Sequence, residues 1–434
     1  MKNILKKIVV YILTLESKLI LKKYRPKIVA ITGSVGKTGT KDVVHALFSK
    51  LYFAEKSPKS FNSEFGAPLA IIGCEQSGWN NPLSWLKIIL GGLTLIILPN
   101  HYPKWLILEI GADRPGDIES IARWIPVDVA IFTRMGEVPV HVEFFDSPAA
   151  ILKEKLFLLD ALKPEGVVVF NYDDQIIKKE FENKRGFNKI SYGFEKGADI
   201  SASNYKIVYK KTTEKIPSGV NFKINFKGTS VPATIYGTIG KQQIYSTLAG
   251  VAAVLSQGGN PVVALGVLKD YNSQPGRMKI LKGLKDTVII DDSYNSSPIA
   301  LLEALQTIES VTISGRKFVV LGDMMEIGKY SIEEHRKIGI RSAEVADFIF
   351  VVGVRAKYIA EGALEAGFSE EKIFNFDDAR LAGKGLELKL AKGDLVLVKG
   401  SQSMRMERVV EEVVAEPLRK NELLVRQEEE WLAR

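Results

Sequence analysis

Short, continuous apolar runs recur along the first part of this chain, and stretches with helical spacing of apolar residues separate them. Three of the runs, over residues 105–110, 127–133 and 166–170, are bounded by Gly, Pro or Asp. Uninterrupted runs of this length are typical of strands that a parallel sheet buries on both faces. The alternation predicts an α/β domain with a doubly wound, mostly parallel sheet.

The pattern changes twice further along the chain. Residues 193–240 hold short alternating runs, which predict an antiparallel excursion at the sheet edge. Residues 272–277 combine Asn, Pro and Gly and predict a hinge, after which a second series of strands and helices begins. We therefore expect a central domain over 26–273, a smaller Rossmann-like α/β domain over 274–415 and a charged, helical tail over 416–434.

Two apolar stretches raise the question of membranes. The first lies in residues 1–25, where apolar residues at helical spacing are surrounded by lysines. Its longest unbroken apolar part is far shorter than the roughly 20 residues that a membrane span needs. Two alternatives stay open: this basic helix lies on an anionic membrane surface, or it docks on its own domain. The second stretch, residues 83–98, is interrupted by Lys87 and Gly91-Gly92 and predicts a buried or interfacial hairpin of helices.

A glycine-bearing turn joins the first predicted strand to a helix. Residues 28–40 read Ile-Val-Ala-Ile-Thr-Gly-Ser-Val-Gly-Lys-Thr-Gly-Thr. Such a turn points backbone N–H groups and a helix N-terminus at one place, which suits phosphate. Ile31 holds the position of the first glycine of the standard P-loop, so the match is to a shorter variant, Gly33-x-x-Gly36-Lys37-Thr38. The alternative is a strand, turn and helix that pack without a ligand.

Composition and charge add few constraints. The 434 residues exceed what one hydrophobic core usually serves, and 46% apolar content is ordinary for a soluble protein. The formal charge of +8 comes from basic residues spread along the chain, without an aromatic-interleaved basic motif, so nucleic acid is not an expected partner. The single cysteine, Cys74, excludes an internal disulfide and fits a reducing cytoplasm.

Several separated motifs together resemble one family, the Mur ligases. Within that family the resemblance is greatest to the branch that adds D-alanyl-D-alanine to the UDP-N-acetylmuramoyl-tripeptide. The segments that carry it span nearly the whole chain in the family's order, at residues 32–41, 61–68, 108–112, 276–278, 291–295, 321–328 with His335 beyond, and 399–401.

The resemblance implies ATP-driven, ADP-forming amide formation through an acyl phosphate. In this family the loop residues bind the nucleotide, here Gly33, Ser34, Val35, Gly36, Lys37, Thr38 and Gly39. Thr38 and Glu109 would hold one Mg²⁺ through oxygen ligands, and His141 resembles the histidine ligand of a second. The alternative for Glu109, at the end of a predicted strand, is a simple pair with a nearby lysine.

A lysine carbamylated by CO₂ is a further feature of the family. Lys153 matches its position by the offset to Leu156-Phe157, and Lys155 is a competing candidate two positions on. A carbamate would turn a cation into an anionic oxygen ligand for Mg²⁺. The alternative is a solvated helix lysine.

The second domain carries the remaining candidates that the resemblance implies. Asp291, Asp292, Tyr294 and Asn295 would contact the ribose and base of ATP, and Arg277 would reach a phosphate once the domains close. Asp323, His335, Lys399 and Ser401 would face the amine substrate, and Asn62 in the first domain would also contact substrate. The alternatives are an ordinary turn cap for the aspartates and a surface position for His335.

The sequence also departs from the family's pattern. Only about 26 residues precede the phosphate-loop strand, so the usual domain that grips the uridine diphosphate end is not visible. Arg134 stands where an asparagine is usual, and Gln242 and Ser246 stand where histidine and asparagine are preferred. Gln402 replaces the arginine that usually follows the Lys-Gly-Ser segment.

Together with the other sequence features, the resemblance implies a monomeric, cytoplasmic, Mg²⁺-dependent ligase of peptidoglycan-precursor synthesis. If residues 1–25 lie on a membrane, its place is the inner face of that membrane. One rival is a Mur-like ligase that joins another amino acid to a different carboxylate carrier. Another is a P-loop switch that binds nucleotide without ligation; phosphate release that depends on both substrates would separate them.

Overall fold

A computed structural model describes residues 2–58, 65–74, 82–211 and 215–432. Its α-helices, in chain order, are α1 Lys2–Tyr24, α2 Lys37–Ser49, α3 Gly66–Ile72, α4 Pro82–Ile97, α5 Asp117–Ala122, α6 Pro148–Leu156, α7 Gln175–Glu182, α8 Gln242–Ser256, α9 Pro261–Leu265, α10 Pro298–Ser310, α11 Ser331–Val345, α12 Lys357–Glu365, α13 Ala379–Lys389, α14 Glu407–Val413, α15 Lys420–Leu423 and α16 Glu429–Leu432. Its strands are β1 Lys27–Thr32, β2 Ala54–Lys56, β3 Trp105–Glu109, β4 Val127–Phe132, β5 Leu162–Asn171, β6 Asn188–Gly193, β7 Ile200–Tyr209, β8 Pro217–Phe226, β9 Thr229–Tyr236, β10 Lys279–Lys282, β11 Val288–Asp292, β12 Lys317–Gly322, β13 Phe348–Val352, β14 Ile373–Phe376 and β15 Leu395–Lys399.

Over the described residues, the first sheet has nine strands in the order β2-β3-β1-β4-β5-β6-β7-β8-β9. Pairing is parallel from β2 to β7, and β8 and β9 extend the edge in antiparallel fashion. Residues 28–31 of β1 are fully buried, as the continuous apolar run requires. The predicted parallel sheet and its antiparallel excursion are both confirmed. Because β1 lies between β3 and β4, the crevice at its carboxyl end is where a ligand binds in such sheets.

The second sheet has six strands in the order β10-β11-β15-β12-β13-β14. All neighbouring pairs are parallel except β10 with β11. The smaller Rossmann-like α/β unit is therefore confirmed, whereas the exact domain limits stay a prediction. The carboxyl ends of β11, β12 and β15 face the same cleft as the carboxyl end of β1, because loops from both sheets line one cavity.

The stretch predicted as a helical hairpin forms one helix, α4, so that prediction is wrong. Gly91 and Gly92 lie inside this helix. At Gly92 an added Cβ would lie 2.3 Å from Oε2 of Glu16, so the glycine lets α4 pack closely against α1. Its place is explained by this tertiary contact, which a local pattern does not reveal. Among the described residues, no helix is long and apolar enough to cross a membrane.

Candidate functional site

The loop between β1 and α2 is shaped by two glycines with positive φ. Gly33 has φ +141°, and a Cβ there would lie 2.0 Å from the Thr133 hydroxyl. Gly36 has φ +87° and precedes the first residue of α2. L-residues with side chains rarely adopt either angle. The first N–H groups of α2 lack partners within the helix, so they point at the cavity as phosphate donors.

Part of the loop is used for its own support. The N–H groups of Ser34 and Val35 donate to the carbonyl of Arg134 at 2.8 and 3.0 Å. These two amides are therefore engaged, and the prediction that they cradle phosphate is wrong for their backbone N–H groups. The Lys37 ammonium folds back onto the loop and donates to the carbonyl of Gly33 at 2.8 Å.

Lys37 lies in a strongly charged environment. Burial lowers the pKa of its ammonium, the carboxylate of Glu109 opposes that effect, and the positive charge of Arg277 lowers the pKa further. Arg277 comes from the second sheet's domain, so both domains place a cation at the same spot. Such a spot suits a polyphosphate, whose charge would balance both groups.

Glu109 ends β3 beside the loop and is 2% exposed. One carboxylate oxygen accepts from the Thr38 hydroxyl at 3.2 Å. No described residue donates a hydrogen bond to the other oxygen, Oε2, and the Lys41 ammonium lies 3.6 Å from it. The predicted alternative of a lysine partner is thus partly realised. A buried carboxylate oxygen without a hydrogen bond, next to a threonine hydroxyl, still fits a hard cation such as Mg²⁺.

His141 faces the cleft from the loop after β4. Its Nδ1 lies 2.8 Å from the carboxylate of Glu326, and its Nε2 lies 3.5 Å from that of Asp113. The hydrogen bond from His141 lowers the pKa of the Glu326 carboxyl. His141 and Glu326 both have positive φ, at 69° and 64°, so the strained loops of the two domains meet here.

The two candidate lysines of α6 lie on different faces of the helix. Lys153 is exposed, whereas Lys155 is 2% exposed. Burial lowers the pKa of the Lys155 amine well below its ordinary value, and the charge of Lys37 lowers it further, with Asp113 acting in the opposite sense. Lys153 therefore cannot be the lysine that points inward, and the preference for it is wrong. Lys155 occupies that place.

Arg277 and Tyr294 form the second domain's face of the cleft. The Arg277 guanidinium stacks on the Tyr294 ring at 4.0 Å from its centre. Both residues line the cavity, together with Asn295, and their contacts with ATP stay a prediction.

The aspartates of the same motif point away from the cavity and are used internally. Asp291 is fully buried and accepts from the N–H groups of Gly276 and Ser293. Asp292 accepts from the N–H of Met278 and, at 2.6 Å, from the buried ammonium of Lys399. The prediction that these carboxylates contact the ribose is wrong. They hold the turn that carries Arg277, and Lys399 belongs to that support and does not face a substrate.

The remaining substrate candidates separate in the same way. His335 is fully buried, and its two ring nitrogens bond the backbone of Met324 and Ser331, so the prediction of a substrate contact is wrong for it. Asp323 accepts from the N–H of Ala356 at 2.7 Å and lies behind the cavity wall. Ser401 lines the cavity, and its contact with the amine substrate stays a prediction. Asn62 lies outside the described residues.

These groups surround a cavity of about 630 Å³, which is the usual size for a small-molecule site. Its walls come from both domains, and the lining residues are Ser34, Gly36, Lys37, Thr38, Glu109, Asp113, Val140, His141, Arg277, Tyr294, Asn295, Met325, Glu326, Ser401, Gln402, Ser403, Arg405 and Trp431. Within the described ranges, no three His, Cys, Asp or Glu side chains form a ready metal cluster. A cation here would need phosphate oxygens or a modified side chain as further ligands.

The tail contributes to this cavity, which the sequence did not indicate. Trp431 lines the main cavity and also an adjoining one of about 540 Å³. Arg426 anchors the segment, because its guanidinium is buried against Glu407 at 2.9 Å and donates to the carbonyl of Tyr294. An aromatic and an arginine in a charged terminal segment have no spacing that would have marked them.

Two family models match the chain in succession. The Mur ligase middle domain matches residues 31–254, and the Mur ligase glutamate ligase domain matches residues 276–402. The matched ranges contain the phosphate loop, Glu109, His141 and Lys155 in the first, and Arg277, Tyr294 and Ser401 in the second.

Two curated relatives align with most of this chain at low sequence identity. The UDP-N-acetylmuramoyl-tripeptide–D-alanyl-D-alanine ligase of Bacillus subtilis is 28% identical over 404 residues, which cover 93% of this chain and 79% of the relative. The protein of that name from Mycobacterium leprae is 25% identical over 90% of this chain and 74% of its own.

Among solved structures, the MurF ligase of Thermotoga maritima in complex with ADP has a TM-score of 0.75 at 26% identity. The match covers 95% of this chain and 84% of that one. A pseudomurein peptide ligase type C from Methanothermus fervidus has a TM-score of 0.58 at 16% identity, which shows a shared fold. With the two family models covering most of its length, the chain belongs to the Mur ligase family.

Proposed function

We propose that this chain is an ATP-dependent, ADP-forming amide ligase that adds D-alanyl-D-alanine to the carboxylate of a muramoyl-peptide precursor of peptidoglycan. The observation that carries the proposal is the buried, incompletely bonded carboxylate of Glu109 beside Thr38 and the phosphate loop. The names of the relatives supply the substrates, and the ADP complex of the Thermotoga protein supports the nucleotide.

ATP enters with its phosphates at the start of α2. The N–H groups of the first helical turn, with the Lys37 ammonium, bind the outer phosphates. Arg277 approaches from the other domain and balances the charge that develops as the terminal phosphoryl group moves. The Tyr294 ring packs against the Arg277 guanidinium and supports its position.

Thr38 and Glu109 would hold one Mg²⁺, and His141 with the modified Lys155 would hold a second. When bound, these ions offset negative charge on the transferring phosphoryl group and on the acceptor carboxylate. The Glu326 carboxylate, 2.8 Å from Nδ1 of His141, holds the orientation of that ring.

We infer that Lys155, in place of Lys153, is carbamylated. Its low pKa leaves a neutral amine whose lone pair attacks the carbon of CO₂ and which then loses a proton. The resulting carbamate places a negative charge beside the Lys37 ammonium, where the neutral amine had none. That charge attracts the Lys37 ammonium and supplies the oxygen ligands that the described side chains lack.

The reaction then proceeds in two transfers. An oxygen of the acceptor carboxylate attacks the γ-phosphorus, the bond to the bridging oxygen breaks and ADP leaves. The amine nitrogen of the dipeptide next attacks the acyl carbon, loses a proton and releases inorganic phosphate. Because the protein forms no covalent bond, positioning and charge balance supply the rate enhancement. Ser401 and Asn295 lie on the wall from which the amine would approach.

We further propose the arrangement in which this chemistry takes place. A central domain over 26–273 and a C-terminal domain over 274–415 close on ATP, and the protein works as a monomer in the cytoplasm. Residues 1–25 contact the inner face of the membrane peripherally. The exposed lysines and apolar residues of α1 support that contact.

Phosphate release tests the ligase directly. Full-length protein is mixed with ATP, Mg²⁺, a muramoyl-tripeptide acceptor and D-alanyl-D-alanine, and the product is identified by mass. We expect release that requires both substrates and one new amide for each phosphate. Turnover with another amine or carrier would favour the rival ligase, and slow release independent of both substrates would identify a nucleotide switch.

A further inference from the structure

Helix α4 carries an apolar stripe that faces solvent along its whole length. Leu83, Leu86, Leu90, Leu93 and Ile97 are spaced by three and four residues in turn, which places them on one side of the helix. All five are exposed, from 40% at Leu93 to 76% at Leu83. Contiguous exposed apolar surface of this kind marks a contact with a partner or a membrane.

Helix α1 extends this surface. It packs beside α4, and the Lys23 ammonium donates to three carbonyls at the carboxyl end of that helix. The inward face of α1 is buried, whereas a second set of apolar side chains on its outer face is exposed, namely Ile8, Tyr11, Leu15 and Leu19. The two stripes are fixed side by side, because Gly92 allows the helices to approach closely.

The charges on these two helices have one sign. Exposed cations flank the stripes, namely Lys6, Lys7, Lys18, Lys22 and Lys23 on α1 and Lys87 on α4. Glu16 is the single acidic residue in the sequence of either helix, and it is buried between them. A partner surface that complements apolar stripes with a rim of lysines is itself apolar with a negative boundary. An anionic lipid bilayer has that structure.

We propose that α1 and α4 together form a docking surface for an anionic lipid bilayer, with α4 lying in the interface and the α1 lysines at the headgroups. At 16 residues α4 is about 24 Å long, too short to span the hydrocarbon core but well suited to lie flat. The inference rests on the peripheral contact proposed for residues 1–25 and extends it to a second helix. It holds whether or not the chain ligates amides.

Vesicle co-sedimentation tests the surface with the full chain. The vesicles contain phosphatidylcholine with or without phosphatidylglycerol. We expect binding to anionic vesicles that weakens as salt is added. A triple variant, Leu86→Gln, Leu90→Gln and Leu93→Gln, should lower the partition coefficient by about a thousandfold, because each buried leucine contributes about tenfold. Replacing Lys7, Lys18 and Lys22 by Gln should cost about fivefold per lysine.

A matched control replaces three exposed apolar residues of the second domain, Val354, Leu381 and Leu388, by Gln, and should bind vesicles like the wild type. Nucleotide affinity verifies that each variant is folded. If the α1 variant loses binding and the α4 variant keeps it, α1 alone contacts lipid and the inference is wrong. Sedimentation velocity tests the alternative that a second copy of the chain covers this surface. The inference is also wrong if the wild type does not bind vesicles but forms a dimer that the α4 substitutions dissociate.

Discussion

Two sets of buried carboxylates end strands of this protein, one in each sheet, and behave in opposite ways. Glu109 ends β3 with one oxygen that no described residue bonds. Asp291 and Asp292 end β11 with both carboxylates fully engaged by backbone N–H groups and by Lys399. Each position reads from the sequence as an acidic strand end beside a turn, yet one has capacity left for a ligand and the other has none.

The difference shows how to distinguish a ligand site from a structural support. The criterion is whether other groups of the chain already satisfy the hydrogen bonds of the buried carboxylate. A buried acceptor without a donor is costly unless something else supplies the bond. At Glu109 the proposed Mg²⁺ would supply it, since the Lys41 ammonium is 3.6 Å away, whereas at Asp292 the Lys399 ammonium supplies it at 2.6 Å. Exposure at the strand end does not separate the two cases, because Glu109 and Asp292 are both nearly inaccessible.

The largest effect is expected on the free energy of unfolding, when one of the β11 aspartates is replaced. Asp292→Asn keeps the acceptor for the Met278 N–H but leaves the Lys399 ammonium buried without its counter-ion, which should cost about 3–5 kcal/mol of unfolding free energy. Urea unfolding measures the loss. The double variant with Lys399→Met should recover most of it; if the double variant is as unstable as the single one, the pair is not what holds this turn.

Glu109→Gln gives the converse result, an effect on turnover. The amide keeps its bond to Thr38 and loses the charge that a cation needs, so kcat should fall by about a hundred- to a thousandfold. Lys41 keeps the nearby charge of Asp42, so stability should fall less than in Asp292→Asn. Phosphate release measures kcat, and Glu119→Gln, at a partly exposed position of α5, is the control. Full activity of Glu109→Gln would show that no catalytically required cation binds at Glu109.

Lys155→Ala separates the two lysines of α6. We expect about a hundredfold loss of turnover, because removing a group that balances transition-state charge has an effect of this size. A short carboxylic acid added to the assay should restore part of the activity by supplying the missing carboxylate. The matched variant Lys153→Ala should behave like the wild type. The reverse ranking of the two variants would return the carbamate to Lys153.

Glu16 gives the smallest effect and a third kind of buried carboxylate. No described residue bonds its oxygens, and burial raises the pKa of the carboxyl to about 7. The folded protein favours the neutral carboxyl, so ionisation of Glu16 destabilises the fold. This destabilisation is absent below the unfolded pKa of 4.5 and grows as pH rises to about 7. Glu16→Gln should therefore raise Tm by up to about 2 °C at pH 8 and hardly at all at pH 5. An equal gain at both pH values would mean that charge is not the cause.

The sequence was sufficient for the sheets and for the phosphate loop. Continuous Val, Ile and Leu runs have one favourable use in an α/β protein, burial on both faces, so β1, β3 and β4 were predictable from composition alone. The loop was predictable because Gly33 and Gly36 are required by backbone angles that other residues avoid. These features are local, and local rules decide them.

The errors share a different origin. Lys153 and Lys155 are two positions apart on one helix, so they lie roughly 200° apart around its axis, and only the neighbours of α6 decide which one points inward. The burial of His335 likewise depends on its neighbours, and its ring nitrogens are satisfied by the Met324 N–H in the loop before α11 and by the Ser331 carbonyl at the start of that helix. Gly91-Gly92 was interpreted as a break because the partner that requires it, Glu16, is 76 positions away. Residues whose role depends on such distant contacts could not be assigned from the sequence.

The Arg134 segment links two events that are usually considered separately. Its carbonyl holds the phosphate loop through Ser34 and Val35, while its side chain reaches across to Glu303 of the other domain. Domain closure and nucleotide grip therefore draw on the same short piece of backbone. By thermodynamic reciprocity, if bound ATP raises the affinity for the acceptor by some factor, the bound acceptor raises the affinity for ATP by the same factor. If closure and nucleotide binding are coupled in this way, the enzyme binds ATP weakly until the acceptor is also bound.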